Sequence, residues 1–157
     1  MPDRTQTSIT SGLLLHQFEV RATRTLNEAL TGLGLTARHF RVLLVMHRDG
    51  VTTQKDLVAR LITDKTAMVR IIDDLDRLGC LTRTTSTRDR RMSHLHLTAH
   101  GVELFHAAEL RAQPVADALF AVLSDEERAL LENMLNRLVT AELPDIAALD
   151  GTELSSG

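Results

Sequence analysis

TQKDLVARLITDKTAMVRIIDDLDRLG, residues 53–79, holds two short amphipathic segments joined by a two-residue link. In the first, Leu57, Val58 and Leu61 recur at helical spacing, and Thr53 with Asp56 three residues on resembles a capping box. The second opens near Asp64. Its apolar face is Met68, Ile71, Ile72, Leu75 and Leu78, and Gly79 stands where a C′ glycine closes a helix. The link Ile62-Thr63 forces a tight turn, so the pair reads as a helix-turn-helix.

Downstream, residues 81–85 and 93–98 are short and rich in Thr and Leu, with a polar stretch from Ser86 to Arg91 between them. His94-Leu95-His96-Leu97 alternates polar and apolar side chains, as a half-buried strand does, which predicts a β-hairpin. Upstream, Thr36 is suited to N-cap a helix burying Phe40, Leu43 and Leu44, broken by Asp49-Gly50. Before it, Leu15, Phe18, Ala22, Leu26, Ala29 and Leu33 form one stripe on a helix from about Ile9 to Gly32. After Thr98 a helix runs to about Leu123, with a kink expected at Pro114. Ser124 and Glu127 then cap a last helix whose apolar face is Leu130, Leu131, Met134, Leu135, Leu138 and Val139. The stretch after Pro144 is expected to fray. The expected fold is mainly α with a small β-hairpin wing: a winged helix-turn-helix over residues 35–98, flanked by helical dimerisation regions at 1–34 and 99–157.

Of the 157 residues, 43% are hydrophobic and only 3% aromatic, so the core must be built from Leu, Val, Ile and Ala. No apolar run approaches the roughly 18 residues that span a membrane, and MPDRTQTSIT has no secretory apolar stretch. Cys80 is the one cysteine, so no intrachain disulfide is possible and a cytoplasmic location fits best. The net charge of −3 is unevenly divided. Residues 1–47 carry five Lys/Arg against three Asp/Glu, residues 48–102 ten against seven, and residues 103–157 three against eleven. A basic middle beside an acidic end confines any phosphate contact to the helix-turn-helix region.

That region offers the chemistry for reading DNA. Thr63, Lys65, Thr66 and Arg70 lie opposite the apolar stripe of the second helix, where such groups reach base edges in a major groove. Val69 among them suits a thymine methyl. Thr53, Gln54 and Lys55 open the preceding helix, whose free N–H groups suit a phosphate. The hairpin tip, Arg88-Asp89-Arg90-Arg91, sets three guanidinium groups toward a minor groove, with Asp89 placed to hold Arg91 by a charge-assisted hydrogen bond.

At these positions the sequence resembles the MarR family of bacterial regulators. The resemblance rests on Leu35-Thr36 with Phe40-Arg41-Val42-Leu43, on Gln54–Leu61, on Ile72–Gly79, and most specifically on Asp89-Arg90-Arg91 followed by Leu95, Leu97-Thr98 and Gly101. Asp74 and Cys80 depart from it, standing where a basic and an aliphatic residue are usual. The resemblance implies a homodimer on a pseudo-palindromic double-stranded operator, acting as a repressor. It also implies release by a small aromatic or phenolic anion bound between the dimer helices and the DNA-binding lobe. Arg21 and Arg24, three apart on the first helix, are candidates to clamp its carboxylate, with His16 and His39 beside them.

Other readings compete. Cys80 suggests a thiol-redox sensor, but its position beside Leu81 favours a buried, inert thiol. His94, His96 and His100 raise metal sensing, yet no acidic or cysteine cluster joins them, and no metal or other cofactor is expected. No phosphate loop, nucleophile elbow or metalloprotease helix motif appears, so an enzyme is not expected. Asp73, Asp74 and Asp76 are expected to spread over different helix faces. The acidic total charge keeps open a winged-helix protein-interaction module that binds no DNA.

Overall fold

The computed structural model describes residues 4–85 and 93–142, and side chains for residues 8–84 and 94–142. The chain forms two compact units, Met1–Leu119 and Phe120–Gly157. The first contains α1 (Arg4–Leu30), a 3-10 turn (Thr31–Leu33), α2 (Ala37–Asp49), α3 (Gln54–Leu61), α4 (Lys65–Arg77), β1 (Leu81–Thr85), β2 (Ser93–Leu97) and nearly all of α5 (Ala99–Phe120). The second contains α6 (Asp125–Thr140).

Each helix start in the central lobe carries a side-chain cap. Thr36 accepts from the His39 N–H while the His39 ring accepts from the Thr36 N–H, a box closed by histidine instead of the usual Glu or Gln. Thr53 accepts from the Asp56 N–H at 3.1 Å, and its hydroxyl donates to the Asp56 carboxylate at 2.6 Å. Asp64 accepts from the Ala67 N–H at 2.8 Å, placing a carboxylate at the positive end of α4. In the second unit, Ser124 and Glu127 form the expected reciprocal box.

Between α3 and α4 the turn is built on Ile62, which adopts φ 46° and ψ 56°. A β-branched side chain in the left-handed region is strained, and Ile62 is 72% exposed, so little burial compensates.

The core lies under the helix-turn-helix. Leu57, Met68, Ile72 and Leu75 pack with Val42, Leu43, Leu81, Leu95 and Phe105, all nearly or fully excluded from solvent. Phe105 of α5 stacks on Phe40 of α2, with ring centroids 6.0 Å apart. Leu78 departs from the expected buried face: it caps α4 and is partly exposed. β1 and β2 pair antiparallel, Leu81 opposite Leu97 and Thr85 opposite Ser93. Thr52 and Thr53 add a short third rung, since the Leu95 N–H donates to the Thr52 carbonyl at 2.7 Å and Thr53 bridges His94.

At both ends of the lobe the helix limits differ from expectation. α1 starts at Arg4 instead of about Ile9, because its first turn is polar and carries no periodic signal. It gives way to a 3-10 turn just before Gly32, and Gly34 takes the left-handed cap. α5 continues through Pro114 to Phe120.

Two substitutions test these constraints. A Cβ at Gly101 would lie 1.9 Å from the Cys80 carbonyl oxygen, a backbone atom that cannot rotate away. Gly101→Ala is expected to cost about 1–3 kcal/mol or more, read as a lower urea midpoint; wild-type stability would contradict the packing. Conversely, Ile62→Asn should raise stability by about 1 kcal/mol, read as a higher urea midpoint, because Asn tolerates the left-handed region.

Candidate nucleic-acid interface

α4 divides its residues cleanly. Met68, Ile71, Ile72 and Leu75 are buried, while Lys65, Thr66, Val69 and Arg70 are exposed on the other side. Thr63, before the helix, is half-buried, and its N–H donates to the Val58 carbonyl at 3.3 Å, closing the turn after α3. The start of α3 brings Thr53, Gln54 and Lys55 together, with Lys55 exposed and the other two partly so. The hydroxyl of Thr53 is committed to its cap, and its carbonyl accepts from the Leu57 N–H at 3.0 Å. Arg88, Asp89, Arg90 and Arg91 lie outside the described residues.

The acidic side chains of α4 are offset in part by two arginines that face three carboxylates. Asp73 and Asp76 do not diverge as expected: Arg83 of β1 donates to Asp73 and lies 3.7 Å from Asp76, so one guanidinium ties the base of the hairpin to the helix. Asp74 pairs with Arg77 and faces the His39 ring at 3.5 Å. Arg60 of α3 holds Asp49 at 2.9 Å. Exposed pairs of this kind contribute little stability, typically under about 1 kcal/mol each. Their consequence here is electrostatic and positional.

Cys80 is fully buried, its thiol beside the Leu78 carbonyl, and burial pushes its pKa up from 9.0. His94 and His96 each meet a threonine, Thr52 at 3.4 Å and Thr84 at 3.0 Å. Among the described residues no three His, Cys, Asp or Glu side chains gather to hold a metal, and no helix is long and apolar enough to cross a membrane.

The candidate ligand residues are dispersed. His16 and Arg21 are exposed on α1, and His39 is buried in the α2 cap. Arg24 alone among them lines a cleft of about 460 Å³ between α1 and α2, where it meets Arg38 and Arg41. Those two arginines were missed because they sit on a different helix from Arg24, and sequence spacing cannot bring two helices together.

A sequence profile of the MarR family matches residues 33–92. The multiple antibiotic resistance protein MarR of Escherichia coli is 30% identical over 129 residues, covering 82% of this chain and 90% of its own. A mutant of that protein solved in complex with operator DNA superposes with a TM-score of 0.75 at 28% identity, over 87% of this chain and 98% of the other. A MarR-family regulator from Rhodococcus sp. RHA1 shares the fold, with a TM-score of 0.77 at 23% identity over 87% of this chain and 97% of its own. The fold is thus that of a winged helix-turn-helix transcription regulator. The chain belongs to the MarR family.

The buried thiol gives a test of its own. Iodoacetamide at about pH 8 should modify Cys80 only as fast as the protein unfolds, followed by mass spectrometry; rapid labelling of the native protein would contradict the burial. The unfolded thiol ionises near 9.0, below the folded one. This contribution to stability is therefore present below that pH and falls as pH rises above it.

Proposed function

We propose that this protein is a sequence-specific regulator that binds double-stranded DNA as a homodimer and represses transcription until a small anion releases it. The observation that carries the reading is the division of α4, with Lys65, Thr66, Val69 and Arg70 exposed above a buried apolar stripe. In a major groove, Arg70 suits guanine O6 and N7 in bidentate fashion, Thr63, Thr66 and Lys65 suit neighbouring base edges or phosphates, and Val69 suits a thymine methyl. Thr53, Gln54 and Lys55 at the start of α3 take the adjacent backbone. Arg88, Arg90 and Arg91, with Asp89 fixing one of them, take the minor groove. The operator complex of the similar Escherichia coli protein supports the DNA partner.

A second copy is the partner that the helices call for. On α1, Ile9, Leu13 and Leu14 are more than half exposed, and on α6 Leu130, Leu138 and Val139 are about 60% exposed. Faces as apolar as these need cover in water, and a twofold dimer covers them with identical surface. Two copies would present two α4 helices to half-sites roughly one helical turn apart. A cytoplasmic location follows from this role.

Binding to the DNA upstream of its own gene, measured across salt, decides between this reading and a protein-interaction module. Each phosphate contact should add a slope of about −0.9 to the plot of log affinity against log salt. A flat response would overturn the DNA reading. Arg70→Ala should cost about 1–3 kcal/mol on one operator and relax base preference there. Wild-type affinity and preference in that variant would remove α4 from the groove.

A further inference from the structure

We infer that the cleft between α1 and α2 takes a phosphate-type anion, one carrying two or more charges in a compact group, in place of the aromatic carboxylate that the family resemblance implies. This deepens the anion-release reading above and rests on it. Arg24, Arg38 and Arg41 converge on the cleft, against Glu19 and Glu28. Among the described residues, Arg24 and Arg38 have no carboxylate partner. Arg41 has one: it lies 3.6 Å from Glu19 and donates to the Thr23 hydroxyl at 2.6 Å, and that hydroxyl donates to Glu19 at 2.8 Å. Asn27 accepts from the Ala37 N–H through its side-chain carbonyl at 2.7 Å, leaving its amide N–H groups as further donors toward the cleft.

The walls decide the ligand class. Val20 is the one aliphatic or aromatic hydrocarbon side chain lining the cleft. A phenyl ring gains affinity from apolar contact, and sites for aromatic ligands are lined mainly by hydrophobic and aromatic groups. A monocarboxylate would also leave at least one guanidinium unmatched. A phosphate presents several oxygens in one group and engages two arginine forks at once. It would further compete with Glu19 for Arg41, loosening the only ion pair between α1 and α2 among the described residues.

The test is calorimetric titration of the full chain at fixed ionic strength with sodium pyrophosphate and, separately, sodium benzoate. Pyrophosphate should bind once per chain, and Arg24→Gln/Arg38→Gln should weaken it by about tenfold or more. Both side chains are exposed, so the double variant should melt with the wild type when pyrophosphate is absent. Benzoate binding as tight as pyrophosphate, with the same arginine dependence, would overturn the assignment. So would pyrophosphate binding that ignores the double substitution. A drop in DNA affinity of the double variant with no anion present would assign these guanidinium groups to the DNA backbone and overturn it too. A wild-type chain that binds no promoter DNA would fail the regulator reading instead, while the titration still decides the class of anion.

Discussion

The close approach of Gly101 to the Cys80 carbonyl holds the central lobe together. Four backbone and side-chain bonds meet there. The Thr98 N–H donates to the Cys80 carbonyl at 3.0 Å, the Thr98 hydroxyl donates to the Gly79 carbonyl at 2.6 Å, and the same hydroxyl accepts from the Gly101 N–H at 2.9 Å. The Cys80 N–H closes back on Leu75 at 2.9 Å, ending α4 through the left-handed Gly79. Through five residues the end of α4, the start of β1, the end of β2 and the first turn of α5 are fixed to one another. Only a residue without Cβ permits that spacing. The orientation of α4, and with it the face that carries Arg70, therefore depends on a backbone contact remote from that face.

The same lobe offsets part of the acidic charge that α4 carries. α4 alone contains Asp73, Asp74 and Asp76, which would repel a phosphate backbone if they were free. Arg83 and Arg77 face them, with the His39 ring beside Asp74, so two of the three carboxylate charges are offset at the surface of the lobe. Lys65 and Arg70, nearer the start of the helix, have no carboxylate partner among the described residues. Asp74, which departs from the residue type usual in the family, is thus a tie between α4 and α2 as well as a lost positive charge.

How much of this was legible in the sequence depended on whether the signal was local. Caps at Thr36, Thr53 and Ser124 and the C′ glycine at Gly79 are set within a turn of their helices, and the structure shows them. The alternation of His94–Leu97 likewise marks a strand by itself. The third rung at Thr52–Thr53 was not legible, because it pairs two residues with a strand some 40 positions on. Arg83 meeting Asp73 and Asp76 was missed for the same reason, although two carboxylates three apart on a helix do share a side. The helix-periodic stripe also claimed Leu78, but that residue is the C-cap and partly exposed, and after the left-handed Gly79 the buried positions pass to Cys80 and Leu81.

The cleft and α4 are joined by a short physical chain. Asn27 of α1 holds the Ala37 N–H in the first turn of α2, one residue from Arg38. In that same turn the His39 ring accepts from the Thr36 N–H, and its other nitrogen lies 3.5 Å from the Asp74 carboxylate of α4. A displacement of the α2 start therefore has two immediate consequences. It strains the cap that His39 completes, and it changes the distance between His39 and Asp74. An anion that draws Arg38 and Arg41 toward Arg24 would pull on this turn directly, with no need for motion through the packed core. Coupling of this kind requires that the two positions of α2 differ in their affinity for the anion. The loose Glu19–Arg41 pair, more than 3 Å apart and shared with Thr23, is the element between α1 and α2 with room to make that difference.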